Sequence, residues 1–107
     1  MSIWVYNVWM ARAATTSDVF NAVAERQRRN ILDLLRRGEH SVLSVADELA
    51  LSQPSVSRHL RVLREVGLVQ VRHAGTQRHY RLEPSGLQPI RAWVGGFEEF
   101  WNDSFDQ

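Results

Sequence analysis

Residues 51–63, LSQPSVSRHLRVL, decide the fold because they combine a helix start with two contrasting helix faces. Ser52 is a suitable N-cap, and Pro54 falls in the first turn, where a missing N–H costs no intrahelical hydrogen bond. At about 100° per residue, a helix over 53–66 places its apolar side chains on one face: Val56, Leu60, Leu63 and Val66. The opposite face and the exposed first turn carry polar groups: Gln53, Ser55, Ser57, Arg58 and Arg61. The pattern predicts a helix anchored by leucine and presented outward by its polar side.

The preceding segment predicts a helix that meets this one through a tight turn. In HSVLSVADELALS, residues 40–52, Ser44 and Asp47 have the spacing of a capping box. Val45, Ala46 and Leu49 are expected to face inward from a helix over about 45–51. Two helices joined so closely are typical of a helix-turn-helix.

Two further helices are expected upstream. Val19, Phe20 and Val23 lie at helical spacing, and Ser17 or Asp18 is a suitable N-cap. The next helix has a continuous buried side made of Ile31, Leu32, Leu34 and Leu35, and Gly38 is placed to end it.

A β-hairpin is predicted downstream of Gly67, which ends the helix that begins at Ser52. LVQVRH (68–73) and QRHYRL (77–82) alternate apolar and polar residues around the turn AGT, so Val69 and Val71 should meet Tyr80 and Leu82. A hairpin in this position is the wing of a winged helix.

The last predicted helix runs over about 88–104 and has a wide apolar stripe, namely Ile90, Trp93, Val94, Phe97, Phe100, Trp101 and Phe105. This is more aromatic surface than a terminal helix needs to cover a small core, so we expect part of it to meet another subunit. Gly95–Gly96 should form a crossing point or a bend. The predicted fold is mainly α with a small β-hairpin: a winged helix-turn-helix of five helices and a two-stranded wing, in the order α-α-α-α-β-β-α.

The length of 107 residues suits one small domain, which we place at 16–107, with 1–15 as an N-terminal arm or extension. We favour an arm that packs on the protein, because Trp4, Tyr6 and Trp9 left in water would form an aggregation-prone patch. An upstream extension from start-site assignment is the alternative. The apolar opening MSIWVYNVWM lacks the flanks of a secretory signal, and no apolar run approaches the ~20 residues of a membrane span. We therefore expect a cytoplasmic protein with no membrane partner.

Charge is segregated along the chain although the net charge is only +1. Residues 1–82 contain twelve arginines and seven acidic residues, whereas residues 83–107 contain one arginine and five acidic residues. Six of the arginines lie in 52–82, where Glu65 is the only acidic residue. Such a basic block suits a polyanion.

The polar face of the helix that begins at Ser52 has the chemistry of a DNA-reading surface. Short amide and hydroxyl groups such as Gln53, Ser55 and Ser57 can approach base edges, and Arg58 behind them can reach guanine edges or phosphates. Arg61 has two possible roles, a phosphate contact or an ion pair with Glu65 one turn later. In the wing, Arg72 and Arg78 are candidates for backbone or minor-groove contact.

The segments AVAERQRRNILDLL, LSQPSVSRHLRVLREVGLV and AGTQRHYRL resemble the ArsR family of small bacterial winged-helix repressors, over about Val19 to Trp101. The resemblance implies a homodimer assembled through the first and last helices and bound to an inverted-repeat operator in double-stranded DNA. It implies base reading by Gln53, Ser55, Ser57 and Arg58, with Arg61 nearby and Arg72 and Arg78 on the backbone. The expected dimer residues are Val19, Phe20, Val23, Trp93, Phe97, Phe100 and Trp101.

The chain departs from the metal-sensing members of that family. Where they carry a cysteine pair entering the third helix, it has Ser41 and Leu43, neither of which is a useful soft-metal ligand. The sequence has no cysteine at all, and 88–104 has no histidine. His73 and His79 could lie across the hairpin from each other, but two imidazoles without a third ligand make a poor site. We therefore predict no metal and no cofactor.

Other functions stay open at this point. No nucleophile elbow, phosphate-binding glycine loop or pair of cleft carboxylates can be placed, so we expect no catalytic residues and no enzyme activity. The rival from another class is a winged helix used for protein–protein interaction through its aromatic last helix. A metal- or small-molecule-responsive regulator of the same fold is a second rival. The leading hypothesis, against which these rivals stand, is a dimeric, sequence-specific DNA-binding transcriptional repressor.

Overall fold

The computed structural model describes residues 3–5 and 16–105, and the side chains of 16, 17 and 103–105 are outside the description. Helices α1 (Thr16–Ala24) and α2 (Arg26–Leu35) come first and are followed by the short strand β1 (His40–Ser41). Helices α3 (Val42–Leu49) and α4 (Gln53–Glu65) come next, and the hairpin strands β2 (Val69–Ala74) and β3 (Gln77–Leu82) follow α4. A 3-10 turn (Pro84–Leu87) then leads into α5 (Gln88–Gly95) and α6 (Glu98–Phe105). The winged helix-turn-helix prediction is confirmed, with differences in detail.

Two neighbouring arginines join α1 to α2. Nε of Arg28 donates to the carbonyl oxygen of Ala22 at 2.7 Å, and Nη1 of Arg29 donates to those of Val23 and Ala24 at 2.9 and 3.0 Å. Cations at a helix C-terminus satisfy its last carbonyl groups and the negative end of its dipole. The corner between the two helices is therefore fixed by side chains of α2. Because α1 begins at Thr16, the predicted caps Ser17 and Asp18 lie inside its first turn instead.

The start of α3 was predicted three residues too late. Its N-cap is Ser41, whose hydroxyl accepts a hydrogen bond from the backbone N–H of Ser44 at 3.1 Å. Ser44 is not a cap, since its hydroxyl shares a hydrogen bond with Nδ1 of His40 at 2.8 Å. The hydroxyl of Ser41, directly before Val42 and Leu43, thus accepts from a free N–H of the first turn, and the capping-box spacing of Ser44 and Asp47 was misleading.

The turn from α3 to α4 is as tight as the sequence predicts. Ala50 ends α3 in the left-handed conformation with φ of 53°, and Ser52 caps α4 by accepting from the N–H of Ser55 at 3.3 Å. The predicted apolar face of α4 enters the core, where Val56, Leu60 and Leu63 have no exposed surface. The core around them comprises Ile31, Val45, Leu68, Val69, Val71 and Tyr80, all at most 2% exposed.

The wing belongs to a three-stranded antiparallel sheet with the strand order β1-β3-β2. Val69 pairs with Leu82 and Val71 with Tyr80, as predicted, and Gly75 makes the turn with φ of 63°. The extra strand is short: His40 pairs with Tyr80 and Ser41 with His79. Two residues are too few for an alternation signal, so the sequence predicted only two strands. Because His73 pairs with Arg78 and His79 with Arg72, the two histidines lie on opposite faces and do not face each other.

Part of the N-terminal segment lies along the outer edge of β2. Val5 forms an antiparallel bridge with Val71, its N–H donating to the Val71 carbonyl oxygen at 2.7 Å and its carbonyl accepting from the Val71 N–H at 3.3 Å. Trp4 lies beneath two guanidinium groups of the sheet, 5.4 Å from that of Arg72 and 4.4 Å from that of Arg81. Tyr6 and Trp9 are outside the described residues, so the prediction for 1–15 as a whole stays open.

The predicted single helix over 88–104 is two helices. α5 ends at Gly95, Gly96 caps it, and α6 begins at Glu98. The N–H of Gly96 bonds to the carbonyl of Trp93 and that of Phe97 to Val94, at 3.2 and 3.0 Å, so the break is a tightened turn. Two consecutive glycines explain it, because each lowers helix stability by about 1 kcal/mol relative to alanine. No helix in the described residues is long and apolar enough to cross a membrane.

Replacing Gly86 by alanine should destabilise the protein by roughly 1–3 kcal/mol, because an added Cβ would lie 2.2 Å from the carbonyl oxygen of Gly67. Gly95→Ala is the matched control, since its Cβ would meet nothing within 4 Å. That control should be neutral or more stable by up to about 1 kcal/mol. Denaturant unfolding at one fixed protein concentration measures both variants, and an unchanged midpoint for Gly86→Ala would contradict the close approach of these two turns.

Candidate nucleic-acid interface

The start and the outer face of α4 carry polar side chains that solvent can reach. Gln53 and Arg58 are exposed, and Ser55 and Ser57 are half-buried beside them. Arg58 lies on the side opposite Val56 and Leu60, whereas Gln53, Ser55 and Ser57 surround the exposed start of the helix. The structure therefore brings together the four residues that the sequence selected for base reading.

A cleft lies between α4 and the wing, and four arginines line it. Arg58, Arg61 and Arg64 follow one another at three-residue steps along α4, and Arg78 approaches from β3. Nη2 of Arg78 donates to the hydroxyl oxygen of Ser57 at 3.4 Å, which links the wing to the helix. We call this feature the arginine cleft; its other lining residues are Pro54, Ser57 and Tyr80.

Within the arginine cleft, the individual arginines differ in their partners. Arg61 pairs with Glu65, with 3.2 Å between Nε and Oε1, and both side chains are largely exposed. An exposed pair of this kind contributes only about 0.3–0.5 kcal/mol. A phosphate group can therefore replace Glu65 as the partner of Arg61. Arg64, which we did not select from the sequence, has a buried Nε that donates to no acceptor in the described part of the chain. Its three-residue spacing from Arg61 was the available signal.

Arg72 is separated from the other predicted contact residues. Its Nη2 lies 2.6 Å from Oε1 of Glu39 and its Nε 3.4 Å from Oε2, so the two side chains form a fork-shaped ion pair. The hydrogen bonds from Arg72 hold the pKa of the Glu39 carboxyl below its usual range. Because Arg72 pairs with His79 and Arg78 with His73, Arg72 and Arg78 lie on opposite faces of the hairpin. The predicted wing pair is therefore divided.

A second concavity extends from the start of α4 to the tip of the wing. It is lined by Gln53 and Ser57 of α4, by residues of β1 and α3, and by the hairpin turn: Ser41, Val42, Leu43, Thr76, Gln77 and Arg78. Ser57 and Arg78 border this concavity and the arginine cleft alike. Thr76 and Gln77 were not selected from the sequence, because only the folded hairpin places them beside α4.

An aromatic surface lies at the other end of the molecule. Trp93 contacts Phe20 and Phe97 edge to face, with ring centroids 5.9 and 5.3 Å apart. Trp93 and Phe100 are 59% and 66% exposed, and Phe97 and Trp101 are each 41% exposed. These rings form an uncovered apolar patch on the protomer. Val19, also expected at the dimer interface, is only 6% exposed and packs in the core instead.

His59 connects α4 with the α1–α2 corner. Nη1 of Arg28 lies 3.4 Å from Nδ1 of His59, and a guanidinium has only donors, so the contact requires Nδ1 without a proton. Burial lowers the pKa of His59, and the charges of Arg28 and Arg58 lower it further against the opposing effect of Glu25. Protonation would therefore weaken the bridge between the exposed helix and α1.

No three His, Cys, Asp or Glu side chains within residues 3–5 and 16–105 come close enough to hold a metal ion together. At the position where the resemblance to metal-sensing regulators would require a cysteine pair, the hydroxyl of Ser41 caps α3 and Leu43 is 48% exposed. A hydroxyl and an aliphatic side chain are poor ligands for soft metals.

Comparison with known proteins places this architecture in a family. Residues 25–71, from the start of α2 to the middle of β2, match the family described as "Bacterial regulatory protein, arsR family". An HTH-type transcriptional regulator of Mycobacterium tuberculosis is 40% identical over 82 residues, which cover 77% of this chain and 74% of that protein. The chain belongs to the ArsR family. The arsenical resistance operon repressor of Escherichia coli is also 40% identical, over 78% of this chain and 69% of the repressor.

A solved structure described as a possible ArsR-family regulator has the same fold. The solution structure of a homodimeric winged helix-turn-helix DNA-binding domain from Mycobacterium bovis superposes with a TM-score of 0.64 at 31% identity. The match covers 78% of this chain and 77% of that one. Membership in the ArsR family and the fold class predicted from the sequence are therefore both confirmed.

The free energy of unfolding should fall as the pH drops below about 6.5, the ordinary pKa of histidine, because the pKa of folded His59 is lower than this value. Between the two pKa values the unfolded chain binds more protons than the folded one, so acid favours unfolding. His59→Gln should flatten this part of the stability profile, because a glutamine amide does not take up a proton in this pH range. The contact with Arg28 can persist in the variant, since the amide oxygen accepts a hydrogen bond. Denaturant unfolding between about pH 5 and 7.5 and the NMR titration of His59 measure the effect. A variant with the full wild-type slope would contradict it.

Proposed function

We propose that this ArsR-family protein is a homodimeric, sequence-specific DNA-binding transcriptional repressor. The observation that carries the proposal is α4, whose leucine face is fully buried while its amide, hydroxyl and guanidinium groups face outward beside the arginine cleft. A helix presented in this way fits the major groove, which admits an α-helix and displays a distinct pattern for each base pair. The repressor name of the Escherichia coli relative supports the direction of regulation.

Base recognition is assigned to the start of α4. In helix-turn-helix proteins the N-terminal residues of the recognition helix contact base edges. Gln53, Ser55 and Ser57 suit close approach because their side chains are short, and Arg58 suits a two-pronged contact to guanine. Arg61 and the unpredicted Arg64 lie farther along α4, where phosphate contact is the better fit for them.

Contact with the phosphate backbone of DNA is assigned to the wing, and its two arginines are expected to contribute unequally to affinity. Arg78 borders the arginine cleft, so a phosphate held there would meet its guanidinium together with those of α4. Arg72 remains a proposed backbone contact, but it must first leave or share its ion pair with Glu39. We therefore expect Arg78 to contribute more to DNA affinity than Arg72.

Dimerisation is assigned to the aromatic surface of α1, α5 and α6. Phe20, Trp93, Phe97, Phe100 and Trp101 would lose their exposed area against the same patch of a second copy, an arrangement with two-fold symmetry. The homodimeric Mycobacterium bovis domain supports this assignment. Two copies would then present two α4 helices to successive major grooves of an inverted-repeat operator.

Regulation without a metal is part of the proposal, because Ser41 and Leu43 replace the soft ligands that metal-sensing members use at this position. A metal-responsive regulator is the alternative favoured by the arsenical-resistance relative, and tight stoichiometric binding of zinc would support it. Residues 1–15 are proposed to form an arm on the sheet, on the basis of the Val5 bridge and the Trp4 contacts. The proposed location is the cytoplasm, where bacterial DNA lies.

Replacing Arg58 by alanine should weaken binding to the preferred operator by about 1–3 kcal/mol and relax discrimination at one base pair, because a contact to a guanine edge is lost. The operator is obtained by selecting bound fragments from the organism's own genome. Fluorescence anisotropy on that operator, on single-base variants and on random DNA then gives the affinities. Equal losses on operator and random DNA would show that Arg58 does not read bases.

Arg78→Ala is the matched control within the same cleft. It should lower affinity for operator and random DNA alike and reduce the slope of log K against log salt by about 1, as expected for one lost phosphate contact. An unchanged slope would remove Arg78 from the contact surface. Failure of the wild-type protein to bind any genomic fragment at low salt would favour the protein–protein interaction module instead.

Phe100→Glu should weaken the dimer at least tenfold, about 1.4 kcal/mol, because a charge would be buried within the aromatic surface of both copies. Leu43→Glu is the matched control. Leu43 is an exposed large apolar residue that lines the concavity between the start of α4 and the tip of the wing, and it is not part of the aromatic surface. Sedimentation equilibrium measures both. Equal dimer stability in Phe100→Glu and wild type would contradict the assigned interface.

A further inference from the structure

A groove remains on the side of the protomer where α1, α2, β3 and α5 meet. Its volume is about 500 Å³, within the range of roughly 300–1,000 Å³ found for small-molecule sites. None of the residues assigned to base reading or to the aromatic surface lines it, although Val23 of α1, which the sequence placed at the dimer interface, does. We call it the α2 groove.

The floor of the α2 groove is apolar and comes from five separate elements. Val23 belongs to α1, Leu32 to α2, Leu82 to β3, Leu87 to the 3-10 turn and Ile90 to α5. Leu32 is buried and the other four are half-buried, so the floor remains open to a ligand. An apolar ligand body placed there would be stabilised because its surface is removed from water.

The rim of the α2 groove is strongly cationic. Arg26, Arg29 and Arg36 line it, and Asp33 is the one acidic lining residue. Asp33 offsets only part of this charge, because its carboxylate lies 3.9 Å from Nε of Arg36 in a pair whose side chains are 72% and 69% exposed. Nη1 of Arg29 is held by the carbonyl oxygens of Val23 and Ala24, and the guanidinium has further donors available for a ligand.

We propose that the α2 groove binds a small anionic amphiphile, a molecule with one carboxylate and an apolar body, as an effector of DNA binding. The apolar floor would take the body, and the three rim arginines would hold the carboxylate through charge-assisted hydrogen bonds. The match of one negative head to a rim with three cations and one anion is the reason for choosing this ligand class over a neutral one.

The position of the α2 groove gives a ligand access to both ends of the molecule. Val23 and Ile90 belong to the helices that carry the aromatic surface, and Leu82 ends the strand that carries Arg78. A ligand that binds one arrangement of these elements better than another shifts the equilibrium between them. This regulatory part rests on the proposed DNA binding, whereas ligand binding itself does not.

The test uses the full chain and sodium decanoate below its micelle concentration. Two-dimensional ¹H–¹³C NMR of methyl groups should show saturable shifts at Val23, Leu32, Leu82, Leu87 and Ile90. Decanol, which has the same body without the charge, should bind at least tenfold more weakly. Saturable shifts confined to methyl groups elsewhere, or equal affinity for decanol and decanoate, would overturn the proposal.

A matched pair of variants tests the role of the rim. Arg36 lines the α2 groove and the next residue, Arg37, borders a different concavity, yet both are exposed and follow the last turn of α2. Arg36→Glu should weaken decanoate binding at least tenfold, and Arg37→Glu should leave it within twofold of wild type. Arg26→Glu should behave like Arg36→Glu, and it is expected to fold because glutamate suits the first turn of a helix. Equal effects of Arg36→Glu and Arg37→Glu would overturn the site.

Measurements of dimerisation and of DNA binding distinguish a bound effector from a second copy of the chain in the groove. If a second copy of the chain filled the groove, Arg36→Glu would weaken the dimer without decanoate, and that result would overturn the proposal; unchanged dimerisation supports it. Saturating decanoate should change operator affinity of wild type at least fivefold but not that of Arg36→Glu. Binding without any such change would overturn the effector role. Failure of the ligand-free protein to bind DNA would contradict the proposed function alone, since the NMR result does not depend on it.

Discussion

The burial of one face of α4 is the constraint on which the rest of this structure depends. Val56, Leu60 and Leu63 have no exposed surface, and they pack against residues of α2, α3 and the sheet. Their packing fixes the rotation of α4 about its own axis. The opposite face, which carries Arg58, is therefore held towards solvent. Loss of that packing would therefore disrupt the fold and the exposed face of α4 together.

The sequence was sufficient where the pattern was long or chemically strong. α4, its cap Ser52, the hairpin register and the buried faces follow from periodicity and capping, and all were predicted. The errors fall where two local signals compete or where a signal is too short. Ser41 and Ser44 both offer a capping hydroxyl, β1 has only two residues, and the cost of consecutive glycines in a helix interior had to be weighed against an uninterrupted aromatic stripe.

The candidate site shows the same division between local and long-range information. Gln53, Ser55, Ser57 and Arg58 lie in the first two turns of one helix, so their closeness could be derived from their spacing in the sequence. The partner of Arg72 could not, because Glu39 lies 33 residues away and meets it only through the sheet. The same holds for Thr76 and Gln77 beside α4, and for the five elements that form the α2 groove. Pattern identifies the surface of one element, whereas the fold decides which surfaces become neighbours.

The bridge between Val5 and Val71 has a consequence for the protein in concentrated solution. A strand at the border of a sheet offers unpaired N–H and carbonyl groups on which another chain can add a strand, and proteins commonly cover such borders. Here the chain's own Val5 occupies these groups at the centre of β2, and Trp4 is held beside it by two arginines. Val5 therefore leaves fewer free backbone groups on this border for a strand of another chain.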